Sequence, residues 1–133
     1  FKQKTAYEIY QCDWSSDVCS SDLHHVADSH MNGYIRLKLG LTEDNPTIKP
    51  YEQDAWAALP DSAMPIEISL GIIDGVHARW TVLWQGLDEA TLQRTFQHPE
   101  LGGLTLDRHL HLYAWHSKHH SAHVTALRAA KGW

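Results

Sequence analysis

Apolar residues recur at helical spacing in three long stretches of the chain. The predicted helices are His24 to about Leu41, Ile66 to about Gln85, and Leu106 to Lys131. Residues 42–65 are predicted to form an irregular connection, because four prolines interrupt them and proline is hostile to a helix interior. A short helical turn is expected around Gln53–Leu59. Three long helices without a convincing pair of strands predict an all-α, antiparallel bundle.

The middle helix and the residues after it carry further local signals. Asp88 is a typical N-cap and predicts a short helix over Glu89–Phe96. Gly102-Gly103 predicts a turn, after which Thr105 caps the last helix. The apolar residues of the middle helix fall near helical spacing and predict a core stripe: Ile68, Ile72, Val76, Trp80 and Leu83.

The composition adds one unusual feature, its histidine content. Of the 133 residues, 43% are hydrophobic and 20% are charged, which is typical of one globular domain with a modest core. A formal net charge of −5 without a Lys/Arg cluster argues against nucleic acid as a partner. No apolar run suits a membrane span or a signal peptide, so neither a membrane partner nor export is expected, and the cytoplasm is the predicted compartment. The chain has 11 histidines, however, and histidine is the commonest metal ligand among side chains.

The last helix concentrates these histidines. His116 and His120 are separated by four residues, which stacks two imidazoles one turn apart so that both can bind one ion. A third ligand must come from elsewhere, and the HHVADSH sequence supplies His24, His25 and His30 as candidates. Three neutral imidazoles with an open position are typical of a catalytic site for zinc or a similar ion. Four histidines of the last helix are predicted to share one side of it: His109, His116, His120 and His123.

Structural roles compete with metal binding for most of the histidines. A pair with this spacing also arises by chance, and histidines can instead cap the carbonyl groups at a helix C-terminus. His111 and His119 point away from the shared side and are expected in solvent. His77 and His98 stand alone in the sequence, and a satisfied structural role is expected for each.

One face of the first helix is unusually polar, since His25, Ser29, Asn32 and Arg36 share it. This face is either a solvated outer surface or the wall of a wet pocket beside the metal. The tryptophans are expected to pack in the core rather than stack on a cofactor: Trp80, Trp84 and Trp115.

The first 23 residues do not resemble the rest of the chain. They show no clear apolar period, and their second half is rich in serine and aspartate. KQKTAYEI and DWSSDVCSSDL resemble translations, in one reading frame, of the two ends of a common short-read sequencing adapter. We therefore expect a non-native segment at 1–23, followed at 24–133 by a metal-binding helical domain that is truncated at its N-terminus. On this interpretation Cys12 and Cys19 carry no information about metals or disulfides.

Several motifs of the chain resemble one protein family. In order they are HHVADSHMNGYIRLKLGLTEDNPTIKPYEQDAW, HARW, FQHPE and LYAWHSKHHSAHVTALRAAKGW. They are similar to successive motifs of the YfiT-like branch of the DinB superfamily, over essentially all of 24–133. The resemblance implies a four-helix bundle with a three-histidine metal site, whose ligands match His25, His116 and His120. It also implies that a first helix, and the start of the helix that bears His25, are missing here.

The resemblance implies a metal-dependent enzyme with one divalent ion, zinc or nickel. The first expectation is a thiol S-transferase, in which the ion holds a bacillithiol-like thiol for attack on a small electrophile. The second is a hydrolase in which the ion activates water to hydroxide. The third is a non-catalytic metal-binding module in which His30 or His123 supplies a fourth ligand.

The roles of the surrounding residues are less specific. Asp28 is a candidate general base or an orienting group for a ligand, because it follows His25 by three residues on the same helix. Asn32 and Arg36 are candidate substrate-binding residues on the polar face. Members of the family often pair, so the resemblance also implies a homodimer.

Overall fold

The computed structural model describes residues 16–132, apart from the side chains at 16–19, 128 and 131. The chain in this range is mostly helical, and the predicted all-α class is confirmed. The elements in chain order are helix α1 (Ser16–Thr42), α2 (Gln53–Ala57), a 3-10 helix (Pro60–Ala63), α3 (Ile66–Gln85), α4 (Glu89–Leu92), strands β1 (Thr95–His98) and β2 (Gly102–Thr105), and α5 (Leu106–Lys131).

The three long helices form the framework, with α1 packed against both α3 and α5. Helix α1 begins at Ser16 rather than at His24, so it continues into the predicted non-native segment without a break. Residues 1–15, which include Cys12 and most of that segment, lie outside the described residues. Among the helices of the described range, none is long and apolar enough to cross a membrane.

A small hairpin precedes α5, where the sequence predicted helix and turn. Helix α4 starts after Asp88, whose carboxylate accepts a hydrogen bond from the backbone of Thr91 as an N-cap should, but it ends at Leu92. Strands β1 and β2 then pair antiparallel, and Gly102-Gly103 lies in β2 rather than in a turn. The prediction of helix over Glu89–Phe96 was wrong because β1 is stabilised by distant partners. On its other edge it bonds to the backbone of the connection after α1, at Pro46 and Ile48.

The described core lies between the hairpin and the three long helices. Trp80 is buried in the predicted stripe of α3, whereas Ile68 is 51% exposed. Residues four apart on a helix drift by about 40° per step, so the stripe could not stay on one face over its whole length. Ser69 occupies the buried position instead and faces α1, where it bonds to His24. The buried apolar cluster consists of Leu37, Ile48, Trp80, Phe96, Leu104, Leu106 and Tyr113.

Helix α1 approaches both of its neighbours closely at Gly33. A Cβ atom at this position would lie 2.5 Å from the ring of Tyr113 on α5 and 2.8 Å from Trp80 on α3. Glycine costs a helix about 1 kcal/mol relative to alanine, but here it allows both aromatic rings to pack on the backbone. Gly33 therefore sets the spacing of α1 and α5 close to the histidines that these helices carry.

We expect Gly33→Ala to lower the free energy of unfolding by about 1–3 kcal/mol, because overpacking outweighs the gain in helix propensity. Gly75→Ala is the matched control, since Gly75 also lies inside a helix but a Cβ atom added there would have nothing within 4 Å. The control should gain up to about 1 kcal/mol. Urea denaturation measures both, and similar changes in the two variants would contradict the close approach.

Candidate metal centre

Three histidines from two helices converge on one side of the bundle. His25 comes from α1, and His116 and His120 come from successive turns of α5. One ring nitrogen of each lies within 4.8 Å of the others. The ring centroid of His25 is 5.4 Å from that of His116 and 5.1 Å from that of His120, and the two rings of α5 are 4.5 Å apart. The helical spacing and the docking of α1 on α5 together produce this triangle.

The nitrogen atoms on α5 have the spacing that a metal ion requires. His116 Nε2 and His120 Nε2 are 3.2 Å apart. Two nitrogens at about 2.0–2.1 Å from one zinc ion, separated by a tetrahedral angle, are about 3.3 Å apart. The pair therefore fits one ion with almost no movement. An all-imidazole donor set suits zinc, nickel and copper.

Burial keeps His116, the central candidate ligand, in the form that can bind a metal ion. His116 is buried, and this burial, together with the neighbouring His120, His25, His30 and His119, lowers its pKa to about 2. The imidazole is thus neutral at ordinary pH, and a neutral ring nitrogen has the lone pair that a cation needs.

Two of the three candidate third ligands have other partners. The ring of His24 bonds to the Ser69 hydroxyl at 2.7 Å and to the Met64 carbonyl at 3.0 Å. His30 has both ring nitrogens engaged, one with His116 at 3.1 Å and one with His77 at 2.6 Å. Of the three, His25 is the one grouped with His116 and His120, with one ring nitrogen of each residue within 4.8 Å of the others. Spacing alone could not distinguish these candidates, whereas their positions in the structure do.

Other histidines differ from their predicted surroundings. His77 is not isolated, since its ring stacks on that of His30 with centroids 4.9 Å apart. His119 stacks on Trp115 instead of lying in solvent, and Trp115 is largely exposed rather than in the core. His98 has the structural role expected of it, because its Nδ1 accepts hydrogen bonds from two backbone N–H groups of the hairpin turn.

A carboxylate supports His120 from the opposite side. Asp22 Oδ1 is 3.2 Å from His120 Nδ1, and Asp22 Oδ2 is 3.6 Å from His123 Nδ1. Carboxylates commonly hold the outer nitrogen of a metal-binding histidine and so orient its inner nitrogen. Asp22 lies in the segment 1–23, which the sequence analysis predicted to be non-native. The carboxylate beside His120 therefore comes from that segment.

A cavity of about 360 Å³ lies beside the triangle. His25 and Asp28 both line it, together with polar side chains of the connection between α1 and α3, including Tyr51 and Gln53. Burial raises the pKa of Asp28, Asp61 adds to this effect, and His24 opposes it. The cavity thus combines one candidate ligand, one carboxyl group and mostly neutral polar walls.

The polar face of α1 is not a solvated outer surface. Ser29 and Arg36 are buried, and Arg36 lies near Tyr113 of α5. Asn32 donates a hydrogen bond to the Asp28 carbonyl of its own helix. Neither Asn32 nor Arg36 lines the cavity beside His25. The structure therefore does not support their predicted role in binding substrate.

The chain belongs to the DinB superfamily, whose sequence pattern matches residues 20–124. It is 53% identical over 111 residues to a "putative metal-dependent hydrolase" of Bacillus mycoides (strain KBAB4), and 52% identical to one of Oceanobacillus iheyensis. Each alignment covers 84% of this chain and 64% of the relative, so the chain spans just under two thirds of these proteins.

A solved structure is also similar to this fold. YfiT from Bacillus subtilis is described as "a probable metal-dependent hydrolase with an unusual four-helix bundle topology". The two structures agree with a TM-score of 0.81 at 46% sequence identity, over 86% of this chain and 66% of the other. The expected family and the expected helical fold are therefore confirmed.

Proposed function

We propose that this domain is the metal centre of a metal-dependent enzyme, in which His25, His116 and His120 bind one zinc or nickel ion. The observation that carries the proposal is the convergence of three imidazoles within 4.8 Å beside a cavity. The names of the relatives support it. When bound, such an ion acts as a Lewis acid and lowers the pKa of a nucleophile at its open position.

Hydrolysis of a small polar molecule is the reaction that the cavity supports best. Asp28 follows His25 by three residues on α1, so the two side chains are neighbours on the helix surface. The raised pKa of Asp28 brings its carboxylate nearer to the range in which a general base is efficient. Asp28 would accept the proton of the attacking water and return it to the leaving group. The cavity volume also suits a small molecule.

Thiol transfer is the second candidate, and the sequence motifs are its support. A low-molecular-weight thiol of the bacillithiol type would occupy the same open position and attack an electrophile in the cavity. This reaction would not need Asp28 as a base, because a cation held by the three histidines would lower the pKa of the thiol and allow solvent to take its proton. The homodimer that the family resemblance implies stays a prediction.

An assay of the reloaded protein separates the two reactions. The chain is stripped with a chelator, reloaded with zinc or nickel, and offered esters, amides and small electrophiles with and without thiols. For hydrolysis we expect thiol-free turnover, and we expect Asp28→Asn to reduce it by about 10²–10⁴-fold without loss of metal. Asp54→Asn is the control, because Asp54 is exposed and does not line the cavity.

The other outcomes identify the alternatives. Conjugates that form only with a thiol, at rates that Asp28→Asn leaves unchanged, would contradict hydrolysis and favour the transferase. Stoichiometric metal without turnover of any substrate would favour the non-catalytic module. Failure of the chain to bind metal at all would overturn the proposed site itself.

A further inference from the structure

A row of three histidines crosses the bundle behind the metal centre. His116 Nδ1 on α5 is 3.1 Å from His30 Nε2 on α1, and His30 Nδ1 is 2.6 Å from His77 Nε2 on α3. The first two rings are buried and the third is half-buried. Both of these contacts join one ring nitrogen to another, so each must contain a single hydrogen to be a hydrogen bond.

Counting these hydrogens leaves two consistent arrangements, since a neutral imidazole carries a single N–H. In the first, His116 donates from Nδ1 to His30, and His30 donates from Nδ1 to His77, which leaves His116 Nε2 bare. In the second, both hydrogen bonds are reversed, and His116 carries its hydrogen on Nε2. Only the first arrangement leaves a lone pair directed at His25 and His120.

We propose that His30 is a positioning residue that holds His116 in its metal-binding tautomer, and that His77 supports His30 in the same way. This inference rests on the proposed metal site. It adds His77 to that site and gives His30, a candidate ligand from spacing, a positioning role instead. His30 can perform this role because its ring is held in place. It meets Trp80 and Tyr113 edge-on, at centroid distances of 5.7 and 5.3 Å.

Burial alone does not explain why His30 bonds to a candidate ligand, because His109 is equally buried and bonds to the backbone instead. His109 and His30 are each 1% exposed, and His109 lies on the same helix as His116. Its Nε2 donates to the Gly33 carbonyl at 2.9 Å, which is the role of an ordinary satisfied core histidine. His30 differs because its partner is a candidate ligand. His109 is therefore the matched control.

The test measures zinc affinity by competition with a chelator. Loss of a residue that orients a ligand typically weakens metal binding by about 10–100-fold, and we expect this for His30→Leu. His30→Gln should recover most of the affinity, because its carbonyl oxygen can accept the hydrogen bond from His116 Nδ1. His109→Leu should leave the affinity unchanged. In the zinc-loaded wild-type chain, nitrogen-15 NMR should show the His116 hydrogen on Nδ1 and a scalar coupling across its hydrogen bond to His30 Nε2.

Each contrary result has a distinct meaning. Wild-type zinc affinity in folded His30→Leu, or no coupling between His116 Nδ1 and His30 Nε2 in the zinc-loaded protein, would overturn the inference and leave the proposed site intact. Absence of zinc binding by the wild-type chain, or a His116 hydrogen on Nε2 in the zinc-loaded protein, would overturn both. If His30→Leu does not fold, the wild-type NMR spectrum decides: a coupling across the hydrogen bond from His116 to His30 supports the inference, and its absence overturns it.

Discussion

Replacing His116 with alanine is expected to lower zinc affinity by more than about 100-fold, which is the upper limit for losing a residue that only orients a ligand. His116 is the buried member of the triangle, and its ring lies beside those of both other candidate ligands. Without it, His25 and His120 leave two imidazoles, too few for a tight site. Metal content after dialysis and competition with a chelator measure the loss.

His111→Ala is the matched control for this variant. His111 lies on the same helix, but its side chain is 76% exposed, and its hydrogen bond is to a carbonyl of its own helix. The control should bind metal as the wild type does. Equal metal content in His116→Ala and the wild type would contradict the site, whichever reaction the enzyme performs.

Acidification is expected to destabilise the metal-free protein by about 4 kcal/mol between pH 7.5 and pH 5.5. Burial is the main cause that lowers the pKa values of His30, His109 and His116, to about 3, 4 and 2. These groups stay neutral in the folded chain, whereas the unfolded chain protonates them below its ordinary pKa near 6.5. The unfolded state therefore binds more protons, and stability falls as the pH falls.

The size of this effect follows from one proton for each histidine. Over this range each of the three histidines contributes about 1–2 kcal/mol, and above about pH 7.5 the contribution disappears because both states are neutral. A total of about 4 kcal/mol is a large part of the stability of a small domain, about 5–15 kcal/mol. Urea denaturation at the two pH values, after removal of metal, measures the difference.

His109→Gln serves as the control for acidification, because glutamine does not titrate and its amide can still donate to the Gly33 carbonyl. We expect this variant to lose about 1–2 kcal/mol of the pH dependence. A wild-type stability that rises as the pH falls from 7.5 to 5.5 would show that the buried histidines gain protons in the folded state. That result would contradict their neutral environment.

The long helices and the paired histidines of α5 could be predicted because their signals are local. Helical periodicity located α3 and α5, and the separation of four residues placed His116 and His120 on one face. The choice of His25 over its neighbours needed the family motif as well. In the structure His25 lies with His116 and His120, whereas His24 bonds to Ser69, a placement that no spacing reveals.

The features that the sequence did not predict depend on contacts between distant residues. His77 lies 47 residues from His30 and becomes its partner only when α3 packs on α1. The hairpin depends on backbone bonds to the connection after α1, so helix-like residues around Phe96 became strand. Glycine has a low helix propensity, but Gly33 is the point where two aromatic rings approach the backbone of α1.

X-ray absorption at the zinc edge of the reloaded protein tests the central claim most directly. The account predicts one zinc per chain, bound by three imidazole nitrogens at about 2.0–2.1 Å, with the remaining position taken by a light atom from solvent. His25, His116 and His120 would supply the three imidazoles. Fewer than three imidazoles, or sulfur at about 2.3 Å, would contradict it, because the triangle contains no cysteine.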